Sequence, residues 1–247
     1  MPSIPSALRT LGLPPGATLL VHASLRSLGP VDGGAETVVQ GLLEAVGDQG
    51  TLLMPALSYE TVSADNPVFD ALTTPSCVGA LPEYFRTRPG TLRSVHPTHS
   101  VCAAGCRAEE IIAGHELDTT PCGPHSPFHR LPQYDGWILM LGCGLKPNTS
   151  MHAVEELVEP PYLFKEPADY ETTRADGVRT PMTVRQHDFS GWSQRYDRIA
   201  CLLTPDELRV GPVLKARVQL INARALWRAA RAALERDPLF FVQKVEG

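Results

Sequence analysis

Two apolar runs separated by an amphipathic segment near the start of the chain constrain the fold most. ATLLVHASL predicts a buried strand from Ala17 to His22, GAETVVQGLLEAVG predicts a helix that ends at Gly47, and GTLLMPAL is a second apolar run. A strand, a helix and a strand in this order are typical of neighbouring parallel strands with the helix packed on the sheet. We therefore expect an α/β fold.

The later segments indicate how the rest of the chain is organised. Residues 58–76 lack periodicity and predict a long loop, and a helix follows for which Ser76 is a possible N-cap. WILMLGCG predicts a strand from Trp137 to Gly144, and QLINARALWRAARAALERD predicts a helix over residues 219–237. Residues 159–198 have no strong period and predict irregular strands or a small subdomain. We expect a single domain spanning residues 1–247.

Composition excludes several classes of protein. The 247 residues are 43% hydrophobic and 20% charged, which is ordinary for a soluble globular protein. A formal net charge of −5 argues against a nucleic-acid partner, because nucleic acids are bound chiefly through Lys and Arg. The sequence has no run of 18 apolar residues and no basic, then apolar, N-terminal segment. We expect no membrane partner and a cytoplasmic location.

Cysteine and histidine spacing gives no metal motif. The six cysteines are scattered, which favours reduced thiols, and Cys102 and Cys106 lack the C-x2-C spacing common in zinc sites. Close histidine pairs occur at 96 and 99 and at 125 and 129, without a third ligand at a recognisable spacing. We predict no catalytic metal.

The segment NTSMHAVE carries the strongest chemical signal. It follows the predicted strand at 137–144, where open α/β sheets place their reactive groups. If the chain is helical from Ser150, His152 and Glu155 lie on one face, as a proton-abstracting base and its orienting acid require. The alternative is an ordinary helix start, with Thr149 or Ser150 as N-cap and Glu155 as a favourable charge in the first turns.

Two further segments combine polar groups with strand ends. HASLRSLG follows the first strand, and Gly33 and Gly34 precede a helix whose free backbone N–H groups suit a phosphate. This is neither a G-x-G-x-x-G nor a Walker loop, so a plain connection is the alternative. RSVHPTHS, residues 93–100, likewise places several hydrogen-bonding groups before an apolar run.

In this order, these segments resemble the aminoglycoside 3-N-acetyltransferase family, also called the antibiotic N-acetyltransferase family, which is unrelated to the GNAT fold. The resemblance covers nearly the whole chain, through HASLRSLGPVDGGAETVVQGLLEAVGDQGTLLMPA, PVFDALTTPSCVGALPEYFR, RSVHPTHSVCAAG, HSPFHRL, LMLGCGLKPNTSMHAVEE and LKARVQLINARAL. It implies an α/β/α sandwich with a mostly parallel central sheet and a smaller irregular subdomain. It also implies acetyl-CoA as co-substrate and no metal.

The resemblance implies a role for the NTSMHAVE pair. His152 and Glu155 match the family's T-S-x-H-x-x-E segment as catalytic residues. His152 is then the general base that deprotonates an amine, and Glu155 orients its ring. The acetyl group passes directly from donor to amine in a ternary complex, so no acyl-enzyme is needed.

The resemblance also implies binding residues. The two polar segments are expected to hold coenzyme A through His22, Ala23, Ser24, Leu25, Arg26, Ser27, Leu28, Ser94, Val95, His96 and Ser100. Rim segments near 58–76 and 155–198 are expected to hold a cationic amine through Tyr59, Asp70, Glu156, Glu159 and Asp169. Asp70 matches the Asp of the family's P-x-F-D stretch.

The implied reaction is acetylation of the 3-amino group of a 2-deoxystreptamine aminoglycoside, which confers resistance. Three alternatives stay open: acetylation of a different, non-antibiotic amine, a module that binds coenzyme A without turnover, and a metal-dependent hydrolase. The sequence indicates neither the preferred aminoglycoside, nor the donor that stabilises the oxyanion, nor the oligomeric state.

Overall fold

A seven-stranded sheet forms the centre of the protein. The computed structural model describes residues 2–245, and the order of the strands across this sheet is β10-β11-β6-β1-β2-β5-β4. The strands are β1 Thr18–Ala23, β2 Thr51–Pro55, β3 Val68–Asp70, β4 Leu92–Arg93, β5 Val101–Gly105, β6 Trp137–Leu141, β7 Phe164–Thr173, β8 Arg179–His187, β9 Trp192–Gln194, β10 Leu208–Val213, β11 Ala216–Asn222 and β12 Val242–Lys244.

Helices cover both faces of this sheet. They are α1 Ile4–Thr10, α2 Gly34–Val46, α3 Ala80–Thr87, α4 Ala108–Ile112, α5 Pro127–Arg130, α6 Ser150–Val158 and α7 Ala223–Arg236. Short 3-10 helices add Leu25–Leu28, His115–Leu117, Leu131–Tyr134 and Tyr196–Cys201. Between residues 2 and 245, no helix has both the length and the apolar character that a membrane crossing requires.

Strand directions give the sheet a parallel centre. β6, β1 and β2 are parallel neighbours, β5 and β11 run antiparallel to this trio, and β4 and β10 reverse direction again. Five of the seven strands therefore point the same way, which confirms the mostly parallel sheet. Only the central β6-β1-β2 strands are paired with each other in parallel, and the other neighbouring strands in this sheet pair antiparallel. The carboxyl ends of β1 and β6 lie at one edge, because Ala23 is paired with Leu141.

Alternation along β1 explains the layers. Leu19 and Val21 pack into the core that includes residues of α1, α2 and α3, whereas Leu20 packs on the opposite side with α4, α5, α6 and α7. Successive side chains of a strand point to opposite faces, so an apolar run without polar interruptions indicates burial on both. The result confirms the expected α/β/α sandwich.

A smaller three-stranded sheet, β3-β7-β8, agrees with the small subdomain that was one of the two predictions for residues 159–198. β7 and β8 form a long antiparallel hairpin, with one register shift between Lys165 and Pro167. The small apolar cluster beneath it includes Tyr170, Met182 and Val184, while most other hairpin side chains are at least partly exposed. With one thinly covered face, the alternation is too weak to predict the strands from sequence.

Three predictions about where helices and strands lie are wrong. The 58–76 segment contains β3, whose partner β7 lies about a hundred residues away in the chain. Gly79, not Ser76, precedes α3, and the backbone N–H of Ser76 instead bonds Glu83. The last helix begins only at Ala223, capped by the Asn222 side chain, because the apolar residues just before it belong to β11.

Strand β6 is also shorter than predicted. It ends at Leu141 rather than Gly144, and Gly142 and Gly144 adopt positive φ angles of 75° and 69°. Only glycine takes such angles readily. The turn sends the chain away from the sheet toward α6.

Candidate active site

Helix α6 starts at the carboxyl edge of the sheet and carries the predicted pair. The side-chain oxygen of Asn148 accepts hydrogen bonds from the backbone N–H of Ser150 at 3.3 Å and from its hydroxyl at 2.6 Å, which shapes the first turn. Met151 and Val154 anchor the helix in the core. This anchoring fixes the position of the whole helix.

His152 and Glu155 contact each other as the spacing predicts. Nδ1 of His152 lies 2.9 Å from Oε2 of Glu155, and the carboxylate is fully buried. The His152 side chain keeps about 10% of its surface exposed and lines a cleft. A carboxylate on Nδ1 favours the tautomer that leaves Nε2 with its lone pair free.

Two tyrosines complete the surroundings of the Glu155 carboxylate. Tyr162 donates to Oε1 at 2.7 Å, and Tyr196 donates to Oε2 at 2.7 Å while its oxygen lies 3.0 Å from Nδ1 of His152. Burial, together with the neighbouring carboxylate, raises the pKa of both phenols, so they stay protonated donors. Sequence reasoning missed them because they come from segments outside the motif.

Two more histidines surround His152. The ring of His187 lies 4.7 Å from that of His152, and the ring of His99 lies 6.0 Å from it, centroid to centroid. Nε2 of His187 lies 2.8 Å from Oε1 of Glu156. Burial lowers the pKa of His99 and His187, with neighbouring histidines adding to the effect, whereas burial raises the pKa of Glu156 to about 7. His99 is one of the two histidines of the HPTH segment. The sequence did not predict that it lies near His187, which comes from the β7–β8 hairpin.

The larger cleft, of about 470 Å³, opens over these rings. Both predicted rim segments contribute to it. Its lining comprises Leu57, Tyr59, Val62, Ser63, Val78, Thr98, His99, Lys146, Pro147, Asn148, Thr149, His152, Lys165, Gln186, His187, Phe189, Gln194 and Tyr196. The side-chain nitrogen of Asn148 in this wall is buried and has no hydrogen-bond partner.

A smaller cleft of about 140 Å³ lies at the ends of the central strands. His22 and Ala23 from the end of β1 line it, so two predicted cofactor residues face open space. Burial, and secondarily His152, lowers the pKa of His22 to about 3, so this ring is neutral. Val78, Pro147 and Thr149 line both clefts, which therefore meet at a common wall.

The rest of the first polar segment forms a short 3-10 helix. The hydroxyl of Ser27 donates to that of Ser24 at 2.9 Å, Leu25 is partly exposed and Arg26 is exposed. Leu28 differs from these residues, because its side chain is buried in the core. The contacts predicted for these five residues remain predictions.

The second polar segment, residues 93–100, lies largely inside the protein. Ser94, Val95, His96 and Ser100 are all buried and line neither cleft. The Ser94 hydroxyl accepts from the backbone N–H of Val101, and the Ser100 hydroxyl donates to a backbone carbonyl in the chain following β2. These internal hydrogen bonds tie the segment to the sheet, and its contacts with coenzyme A remain predictions.

The four predicted rim acids do not line the larger cleft. Tyr59 lines the larger cleft. Asp70 accepts hydrogen bonds from backbone N–H groups of its own turn, and Asp169 accepts one from a threonine. Glu159 pairs with an arginine, and Glu156 lies behind His187. Among residues 2–245, no carboxylate lines this cleft, whereas Lys146 and Lys165 do. The sequence could not show which way these acids turn.

Comparison with known proteins agrees with this architecture. The family model described as aminoglycoside 3-N-acetyltransferase matches residues 20–235. Aminoglycoside N(3)-acetyltransferase IV from Salmonella sp is 34% identical over 243 residues, covering 97% of this chain and 89% of that relative.

Solved structures agree too. A histidine-to-alanine mutant of aminoglycoside acetyltransferase AAC(3)-IVa, in complex with a gentamicin, superposes with a TM-score of 0.83 at 32% identity, covering 96% of this chain and 89% of that one. AAC-IIIb in a binary complex with CoASH superposes with a TM-score of 0.82 at 28% identity, covering 95% of each chain. The predicted resemblance is confirmed, and the chain belongs to the aminoglycoside 3-N-acetyltransferase family.

Proposed function

We propose that this protein transfers the acetyl group of acetyl-CoA to the 3-amino group of a 2-deoxystreptamine aminoglycoside. The observation that carries the proposal is the contact of His152 with the buried Glu155, at the point where two clefts share a wall. Family membership supports both the donor and the class of acceptor. The free thiols of all six cysteines favour a reducing, cytoplasmic location.

His152 acts as the general base in this proposal. An amine is mostly protonated at neutral pH, and it attacks a thioester only after losing a proton. Nε2 of His152 takes that proton, and Glu155 stabilises the imidazolium that forms, as in other His–carboxylate pairs. The amine nitrogen then bonds the carbonyl carbon and the C–S bond breaks. The surplus proton on the nitrogen passes to the thiolate of coenzyme A, and His152 returns its proton to solvent.

The two clefts divide the substrates. The smaller cleft, lined by His22 and Ala23, receives the thioester end of acetyl-CoA, and the larger one receives the amine. Residues 58–76 and 155–198 form the rim on the amine side. The unpartnered side-chain N–H2 of Asn148, in the wall of the larger cleft, is our candidate donor to the oxyanion.

A second candidate acceptor is a less cationic, non-antibiotic amine. The observation that favours it is the lining of the larger cleft, which carries Lys146 and Lys165 and no carboxylate among residues 2–245. A polycation gains most from acids around its site. In the aminoglycoside proposal, the exposed Glu60 and Glu166 next to lining residues supply negative charge at the mouth.

The test measures release of coenzyme A thiol from acetyl-CoA, with a panel of 2-deoxystreptamine aminoglycosides and simple amines. We expect turnover with aminoglycosides, and a fall of about 10² to 10⁴ in kcat for His152→Ala. The matched control is His125→Ala. Nδ1 of His125 lies 2.7 Å from Oδ1 of Asp118, and His125 lines neither cleft.

Each outcome has a defined meaning. Turnover that survives His152→Ala contradicts the assignment of the base. Turnover with simple amines alone supports the second acceptor. Acetyl-CoA binding without turnover on any amine leaves a binding module, against which the intact His152–Glu155 contact argues. Mass spectrometry of the product identifies the acetylated amine.

A further inference from the structure

Three histidines converge beside the larger cleft. One ring nitrogen from each of His99, His152 and His187 lies within 4.8 Å of the other two. Their ring centroids are 4.7, 5.1 and 6.0 Å apart. Imidazoles that bind one tetrahedral zinc ion at about 2.0–2.1 Å have centroids roughly 5 Å apart. The spacing therefore matches a single metal ion after shifts of about an ångström.

One ring nitrogen of each histidine is held by a hydrogen bond. Nδ1 of His152 lies 2.9 Å from Glu155, and Nε2 of His187 lies 2.8 Å from Glu156. Nδ1 of His99 lies 2.9 Å from the hydroxyl of the preceding threonine. Histidines that bind metals usually place their other ring nitrogen against a carboxylate or another polar group, which fixes the tautomer.

The remaining nitrogens are suited to act as ligands. Nδ1 of His187 is buried and has no hydrogen-bond partner, so its lone pair is unused. The adjoining cleft leaves a fourth coordination position open.

We propose that His99, His152 and His187 together bind one divalent transition-metal ion such as Zn²⁺, and that this ion inhibits the enzyme. The reaction itself needs no metal. Inhibition follows because the lone pair of His152 cannot bind a metal and accept a proton at the same time. This inhibitory part rests on the proposed function. The ion occupies the amine cleft and therefore competes with the amine rather than with acetyl-CoA.

The first measurement needs neither substrate. The full chain is titrated with Zn²⁺ by calorimetry and with Co²⁺ by visible absorption, in a Cys106→Ser, Cys201→Ser background, because exposed thiols also bind zinc. We expect one equivalent of zinc and the absorption spectrum of four-coordinate cobalt with nitrogen ligands.

Variants identify the ligands. His99→Gln and His187→Gln should each weaken zinc binding by at least about a hundredfold, and Glu156→Gln, which removes the carboxylate behind His187, by about 10- to 100-fold. The matched control His125→Gln should bind zinc as tightly as the parent. Circular dichroism confirms that each variant is folded.

Several results would overturn the proposal. These are absence of stoichiometric binding, a six-coordinate cobalt spectrum, or equal zinc affinity in the parent and both histidine variants. In the turnover assay, zinc should raise the KM for the amine and leave the KM for acetyl-CoA unchanged, and bound zinc without inhibition refutes the inhibitory part. Failure of acetyl transfer itself would leave the binding result intact, because that titration contains no substrate.

Discussion

Replacement of Glu155 by Gln tests whether its charge drives the proposed proton transfer. Glu155 is fully buried, and its Oε2 atom lies 2.9 Å from Nδ1 of His152. When His152 takes a proton, the imidazolium and the carboxylate have charge centres about 4 Å apart, which at an effective dielectric constant near 20 attract by about 4 kcal/mol. A difference of about 1.4 kcal/mol is tenfold in rate, so we expect kcat to fall roughly a thousandfold.

The assay is thiol release from saturating acetyl-CoA, with kcat and kcat/KM measured for parent and Glu155→Gln. Both should fall together, because the lost attraction exists only once the proton moves. Asp118→Asn is the matched control, since it neutralises a buried carboxylate that contacts His125. Its kcat should stay within about threefold of the parent.

Stability must be measured separately. The glutamine side chain introduced by Glu155→Gln would present N–H groups to hydroxyls that now donate to Glu155, which costs about 1–3 kcal/mol of unfolding free energy. Urea denaturation shows whether the variant is folded under assay conditions. A folded Glu155→Gln enzyme with kcat within tenfold of the parent would refute the argument that the carboxylate stabilises the imidazolium.

Three further predictions concern stability and cofactor binding. Tyr162→Phe leaves Oε1 of Glu155 without its donor and should lower the unfolding free energy by about 1.5–3 kcal/mol in urea titrations; no change would mean that the hydroxyl is not needed there. Burial lowers the pKa of His115 from 6.5 to about 3, so between these pH values only the unfolded chain binds its proton. The free energy of unfolding should therefore decrease as the pH is lowered, and His115 should account for about 1.5 kcal/mol of this decrease between pH 6.5 and 5. In His115→Gln the decrease should be smaller by that amount. Gly142→Ala would place a Cβ 2.7 Å from the Cβ of Ser27, at a φ of 75° that alanine rarely adopts. Because Ser27 belongs to the predicted cofactor segment, the KM for acetyl-CoA should rise more than the KM for the amine. An unchanged KM for acetyl-CoA would mean that this loop does not contribute to cofactor binding.

The sequence predicts what depends on neighbouring residues. The contact of His152 with Glu155 follows from three-residue spacing on a helix, and the layered fold follows from apolar runs and amphipathic helices. Gly47 ends α2 as expected, with a φ of 71°. Each of these features is local in the chain.

Features that depend on distant segments could not be predicted in the same way. Tyr196 reaches Glu155 from 41 residues away, and His187 reaches the site from the far end of a hairpin whose apolar pattern is weak. The orientation of the rim acids could not be predicted for a related reason. Asp169 and Tyr170 are neighbours in β7, but the tyrosine packs inward while Asp169 is exposed and bonds across the hairpin, an orientation that only strand pairing decides.

The shared wall between the two clefts has an evolutionary consequence. In the proposed division of the substrates, the donor side includes strand ends of the central sheet, whereas part of the acceptor side comes from the β7–β8 hairpin and the chain that follows it. Mutation in the hairpin region can therefore change which amine is accepted while the donor half keeps its shape. Among residues 2–245, only Val78, Pro147 and Thr149 line both clefts, so selection for a new acceptor is constrained most strongly at these three positions.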